Sequence, residues 1–524
     1  MKKVLVFFII VGIIVGIVIG ANAVQLKENE EDLTPSSGEK LQSTEIINEL
    51  SLALPEVDTL NPLRTKNSYV ADVLKLIYEP LVSFDDENQI ESSLAVNWAQ
   101  RDDVTWIIKL RENVYFHGGE KFTATDVKYT INTLLNNEIQ SKYFANVSNI
   151  SSVDLIDENT LVITLKTKDT YFPSKLTFPI IPEYYFKNEG ILNEDKANRP
   201  IGTGAYQYDS SNDSGIKIIF NKNWWKDSKA KLSTIYLKKY STYNEAIKAF
   251  KSSDVDMIFT TIYNWKEKFG FIGVNSHTFE SSKYEVIIPN TSKTILKESS
   301  VRKAVLSAIN RENMISSIYG GNAYITDIPI ASNSKYATPS MEYDIEKAKQ
   351  MLINAGWLQT KNAWSKDGKN LAFNIIVIKD DSENLSIAKQ IKQDLAEIQI
   401  KITINELAQS SFNDSLQKGN FDLALATLDI KNEYQIQDIV STGSVYNYAH
   451  FSDEKMDGII NMMNASDGDV YANNMETFKQ YYKSEMPYIG LFYKSNIILT
   501  NKSVKGEYKG TDFNPYRNIR NFCK

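Results

Sequence analysis

The chain has 524 residues, enough for two or three domains at roughly 100–200 residues each. It is 42% hydrophobic and 23% charged, so an ordinary core can form without metals or disulfides. A net charge of −7 with no basic run argues against a nucleic-acid partner. The lone cysteine, Cys523, excludes an internal disulfide or a cysteine metal cage.

The N-terminus opens on Met1-Lys2-Lys3 and continues as an unbroken apolar run, Val4 to Ala21. This pattern fits a signal peptide or a short membrane span. Ala21-Asn22-Ala23 is a small-x-small cleavage site, and the acidic Lys27 to Asp32 stretch follows. Basic before and acidic after places the body outside the cell. Residues 1–23 are therefore expected to be a signal peptide or an uncleaved anchor. The body is expected on the extracytoplasmic face of the membrane, tethered by this segment; the alternative is a periplasmic protein cleaved at Ala23. Residues 24–44, with Pro35-Ser36-Ser37-Gly38, read as a flexible acidic stalk.

From Glu45 the chain alternates strand-like and helix-like patches. Thr105 to Leu110, Thr160 to Leu165, Phe373 to Ile378, Asp422 to Leu428 and Tyr488 to Tyr493 are predicted strands. Thr123 and Asp126 form a capping box before Val127, Ile131 and Leu134. Val301, Ala304, Val305, Ala308 and Ile309 make one apolar helical face, with Ser299 or Ser300 as N-cap. Asp344 caps a helix carrying Ala348, Met351 and Leu352, and Gly356 sits where a helix end wants positive φ. The mixture predicts an α/β or α+β fold.

Chemistry-bearing patterns are scarce. His117, His277 and His450 lie far apart with no metal spacing. There is no GxSxG elbow and no P-loop, and Gly202-Thr203-Gly204 lacks the third glycine of a dinucleotide site. Cys523 is one residue from the end, and Asp85-Asp86 and Asp380-Asp381 read as solvated pairs. No catalytic residue, metal ligand or cofactor is assigned, and the chain is expected not to be an enzyme.

Six segments in order carry a resemblance. Trp106 to Val127 contains Leu110-Arg111, Val114, Phe116-His117-Gly118-Gly119 and Phe122-Thr123-Ala124. Leu60-Asn61-Pro62 precedes Ile77-Tyr78-Glu79-Pro80-Leu81. Then come Pro200 to Tyr206 with Asn223-Trp224-Trp225, Asp254 to Met257, Val301 to Arg311, and Tyr343 to Trp357. Together they resemble family 5 of the bacterial solute-binding proteins, the oligopeptide, dipeptide and nickel-binding group of ABC importers. Among the matched residues, Phe116 and Phe122 are expected in the core, Gly202 and Gly204 in a tight turn, and Asp126 at a helix cap.

The resemblance implies a two-lobed, periplasmic-binding-protein-like clamshell of mixed α+β lobes. The first lobe would be residues 45–280 plus 485–524, with an inserted subdomain at about 75–190, and the second 281–484. It further implies capture of oligopeptides by hinge closure and delivery to ABC permease subunits, with a monomeric body. Alternatives of the same fold are a binder of another small solute, such as an oligosaccharide or metal chelate, and a receptor outside transport. Peptide binders of the family carry F-D-x-A-x-x-G-W-x-x-D-Y, whose Asp meets the peptide ammonium. Here Phe421-Asp422-Leu423-Ala424 leads instead to Asp429-Ile430-Lys431, without the Gly-Trp pair. Asp429 is either the anchor in a shorter loop or an ordinary loop carboxylate. Position alone adds Leu60 and Asn61 after the first strand, Thr261 and Tyr263 at the cleft rim, Tyr446 and Tyr448 beyond Asp429, and Tyr493 in the returning strand.

Overall fold

The structure, a computed structural model, describes residues 48–187, 190–270, 273–466 and 468–524. The N-terminal anchor and the acidic stalk lie outside the described residues. Among the described residues no helix is long and apolar enough to cross a membrane.

An 11-stranded sheet is the frame. Its strands are β1 (Glu49–Pro55), β2 (Tyr206–Asn212), β3 (Gly215–Phe220), β4 (Thr234–Tyr240), β5 (Met257–Thr260), β6 (Val274–Pro289), β7 (Ala323–Ile325), β8 (Ala372–Ile378), β9 (Lys401–Leu407), β10 (Leu423–Asp429) and β11 (Ile489–Asn501). The order is β9-β8-β10-β6-β11-β5-β1-β4-β3-β2, with β7 on β11. In β1, Leu50, Leu52 and Leu54 are fully buried on one face, and Ser51 and Ala53 are buried on the other. That is the pattern of a strand covered on both sides.

The two long strands do the joining. Val274 to Glu280 of β6 pairs with Asn501 to Ser495 of β11, and Tyr284 to Ile287 still pair with Tyr493 to Ile489 while Lys283 to Pro289 also pair with β10 on the other side. The β6–β11 register shifts between Glu280 and Tyr284. One hydrophobic core gathers residues from Leu50 to Phe279 together with Ile498, Val504, Tyr516, Ile519 and Phe522. Two others draw on residues from Tyr284 to Tyr493. The sheet is shared, but the cores divide at the β6–β11 register shift, giving a mixed α/β, two-lobed body. A separate four-stranded sheet, built from Ala95–Asp102, Thr105–Leu110, Thr160–Leu165 and Ile150–Asp157, packs in the first core.

Helices cap as their sequences suggest, with one correction. Helices α1 (Ser68–Leu74), α2 (Ala124–Leu135), α3 (Ser299–Ser307), α4 (Arg311–Tyr319), α5 (Ile345–Asn354) and α6 (Ser382–Glu397) are the ones that matter below. Asp126 accepts from the Thr123 amide at 2.9 Å, and Asp344 from the Lys347 amide at 2.8 Å. Gly356 has φ +83° just past α5. In α3, however, Ser299 is already helical and Glu298 holds the N-cap position, so neither serine is the cap.

The motif residues build the frame. Phe116 and Phe122 are buried edge to face at 6.1 Å across the Gly118-Gly119 turn. His117 links that turn to the Gly202–Gly204 segment: Nε2 is 3.0 Å from the Gly204 carbonyl, and Nδ1 accepts from the Gly202 amide at 3.3 Å. The two glycines serve a close approach, correcting the tight-turn expectation: neither has positive φ. A Cβ on Gly204 would stand 2.5 Å from the Leu76 carbonyl oxygen, because Gly204 and Tyr206 donate to Ile77 and Leu76 at 2.8 and 2.9 Å. Glu79 is buried beneath Thr203, Trp224 and Trp225, which donate to it at 2.9, 3.2 and 2.8 Å. Arg302 is buried and donates to the carbonyls of Leu296, Glu485 and Met486.

Candidate functional site

A cavity of about 1610 Å³ opens beside the β6–β11 register shift. Its floor is Phe279 to Ser282 of β6 and Ala426 to Asp429 of β10, continuing through Asn432. One wall comes from the first core: Ser68 and Lys75 at the ends of α1, the 142–148 segment, Tyr171 and the 507–513 loop. The other comes from the second: Asp381 and Asn384 of α6, Phe412, and the 434–439 segment with Tyr446 and Tyr448. Small-molecule sites usually occupy about 300–1,000 Å³, so this cleft suits a larger solute.

Backbone geometry leaves a free strand edge in the cavity. Among the described residues β10 pairs with β8 only at Leu423 and Ala424. β8 ends two residues beyond that pairing, at Ile378, while Ala426 to Asp429 still pair with β6 on the other side. An extended ligand can add to such an edge through main-chain hydrogen bonds.

Carboxylates gather at the crossing. Ser282, Asp429 and Asp512 line the cavity together, and the Ser282 hydroxyl has a lowering effect on both carboxyls. Burial would raise Asp429, but Ser282, Lys283 and Lys431 outweigh it and hold its carboxyl below the ordinary value. Its ion pair with Lys283 is 3.0 Å long, and its side chain is 45% exposed. Asp512 accepts from Asn496 Nδ2 at 2.6 Å, and burial pushes its carboxyl up, with Asp72 and Asp429 adding to the rise. Glu280 accepts from the Ser332 amide at 2.9 Å and its hydroxyl at 2.5 Å, yet burial still pushes it up to about 7. Two carboxylates around one hydroxyl can receive a ligand ammonium, which needs charge-assisted partners once out of water.

The walls also touch at the rim. Tyr171 stacks on Tyr434 with ring centroids 4.5 Å apart, and Gln89 Nε2 donates to Glu433 at 2.8 Å. Beneath the floor, Lys494 lies between Glu285, 3.1 Å away, and Glu383 at the start of α6. Serving two carboxylates keeps its ammonium charged and ties β11, β6 and α6 together.

Of the residues proposed from the sequence, Asp429, Tyr446 and Tyr448 line the cavity together. The others lie elsewhere. Leu60 is in the first core, and Asn61 is a fully buried turn residue donating to the Ile191 carbonyl at 2.6 Å. Thr261 is exposed outside the cavity lining, and Tyr263 stands 4.7 Å from the Tyr319 ring. Tyr493 is buried, 4.9 Å from the Tyr284 ring, inside the second lobe's core. The sequence reading missed Glu280, Asp512, Tyr171, Tyr434 and Lys142. None has a local motif, and only the abundance of tyrosine, 29 copies, hinted at the aromatic rim.

Comparison with known proteins follows the same lines. The family model for the middle region of bacterial extracellular solute-binding proteins, family 5, matches residues 89–432, about two-thirds of the chain. The chain is 24% identical over 493 residues to the oligopeptide-binding protein AppA of Bacillus subtilis, covering 90% of each. It is 27% identical over 398 residues to the nickel-binding periplasmic protein of Escherichia coli, covering 72% of this chain and 74% of that one. A nickel ABC transporter structure from Bacillus halodurans shares the fold with a TM-score of 0.78 at 22% identity, covering 91% of this chain and 100% of that one.

Proposed function

Since the chain belongs to the bacterial extracellular solute-binding proteins of family 5, we propose that it is the substrate-binding component of an ABC importer and that it captures oligopeptides. The observation that carries the peptide reading is the free edge of β10 beside the Asp429–Ser282–Asp512 cluster, in a cleft of about 1610 Å³. The edge offers main-chain pairing to any sequence, and the carboxylates offer a place for the ammonium. An Asp429 anchor is thus a shared one, with Asp512 as its partner.

On this reading the lobes exchange near Glu280 in β6 and Lys494 in β11, with residues of about 75–190 inserted in the first. Ligand favours the closed form by touching both walls, so binding drives hinge closure. The closed body is handed to a membrane permease, and no bond in the ligand is broken. The protein works outside the cytoplasm, held to the membrane by Val4 to Ala21.

Thermal shift of the full-length protein tests the reading. A pool of free pentapeptides should raise the melting temperature, and the N-acetylated pool should do so far less. Stabilisation by a nickel–histidine complex or an oligosaccharide, with none by peptides, would replace the peptide assignment.

A further inference from the structure

The contacts at the rim join the lobes through the protein's own side chains. Tyr171 springs from the first core, where its neighbour Phe172 is fully buried, yet its ring packs against the second lobe's core. It stacks on Tyr434 at 4.5 Å and meets Tyr471 edge to face at 6.1 Å, and Tyr471 meets Tyr336 at 5.8 Å. A second bridge is the hairpin of Val82–Phe84 and Ile90–Ser92. From its tip Gln89 donates to Glu433, the buried neighbour of Tyr434, at 2.8 Å, and the Asp86 carbonyl accepts from Asn333 Nδ2 at 2.9 Å. Arg517 braces the hairpin by ion pairs to Asp86 and, at 3.3 Å, to Glu91. Moving the lobes apart breaks the cross-lobe contacts together and puts the Tyr171 ring into water. One aromatic pair shifts such an equilibrium roughly two- to tenfold beyond the area it buries, and the Glu433 hydrogen bond adds to that.

We propose that Tyr171 is a latch that holds the lobes together in the empty protein, so that solute enters only through a minority open form. The latch sets the fraction of molecules open for entry, and so the rate of capture, apart from the contacts that a solute makes once inside. Closure is then partly set by the chain itself, and ligand adds to it. The inference rests on the importer reading only in the kinetic arm of its test.

The test is the distance between the lobes in the full-length protein, unfolded and refolded to strip any bound solute. Spin labels at Asp154→Cys and Lys347→Cys, in a Cys523→Ser background, report it. The parent should give one narrow distance, and Tyr171→Ala should populate a longer one. Tyr171→Phe, which keeps the ring, should match the parent. Gln89→Ala removes the Glu433 donor and should shift the population the same way, which keeps the test alive if the tyrosine variant does not fold. A parent already long or broad without solute, or alanine variants indistinguishable from it, overturns the latch. With a pentapeptide, stopped-flow association should quicken about two- to tenfold in Tyr171→Ala, because the open fraction rises. A tyrosine that only touched the ligand would instead speed release and leave association alone, and that result also overturns the latch. If no peptide binds, the importer reading fails separately, and the distances alone judge the latch.

Discussion

Arg311 lies in a family motif and its role can be tested apart from ligand binding. Its Nη1 donates to Asp327 at 2.7 Å and to the Gly490 carbonyl at 3.2 Å, and Nη2 reaches the Met341 carbonyl. Both side chains of the pair are nearly inaccessible, 4% and 3% exposed. Among the described residues, Arg311→Met leaves buried Asp327 with only the Met341 amide, at 2.6 Å, as a hydrogen-bond donor. Breaking one side of such a pair costs about 3–5 kcal/mol. For a lobe of this size that is a fall of about 6–20 °C in melting temperature. Adding Asp327→Leu removes the orphaned charge and should recover most of the loss, because an apolar replacement of a buried pair is close to neutral. Calorimetry on the parent, the single and the double variant reads this directly, and peptide affinity of the folded variants should be unchanged. A single variant melting within about 2 °C of the parent, or a double variant no better than the single, would refute the bracing role.

Other variants address the pH response and the cleft. His117 is pushed down to about 4 by burial from its ordinary 6.5, so its contribution is present above pH 6.5 and lost as pH falls through 4. Denaturation at pH 7 and pH 4 should differ by up to roughly 3 kcal/mol from this group, and His117→Gln should flatten that slope. Glu280 has the opposite sign: its contribution is present below about 4.5 and lost as pH rises through about 7. Glu280→Gln should therefore raise the melting temperature at pH 8 and change little at pH 5. Gly204→Ala forces a Cβ against the Leu76 backbone and should destabilise by about 1–3 kcal/mol or more, measured by urea denaturation. Asp429→Asn with Asp512→Asn should weaken free peptides about 30-fold or more in titration and leave N-acetylated ones unaffected.

The motifs were legible because they meet local demands. The Thr123–Asp126 box, the Asp344 cap and the positive φ at Gly356 follow from a few neighbouring residues. The cleft was less legible, because its residues come from segments far apart in sequence that the shared sheet brings together. Asp429, Asp512 and Ser282 come together in the cavity lining across sequence gaps that no periodicity encodes. Chain position misplaced emphasis on Leu60 and Tyr493, which pack into the cores, and on Asn61, a buried turn residue held by the Ile191 carbonyl. Gly202 and Gly204 show the same limit: a glycine pair signals a backbone constraint, but only the fold reveals that Leu76 and Ile77 impose it.

Native mass spectrometry of the freshly purified full-length protein, with release and sequencing of whatever it carries, tests the central claim most directly. The account predicts peptides of mixed sequence and narrow length range, lost when Asp429 and Asp512 are replaced together. A bound sugar or metal chelate, or a protein that emerges empty and gains no mass with any peptide offered, would contradict it.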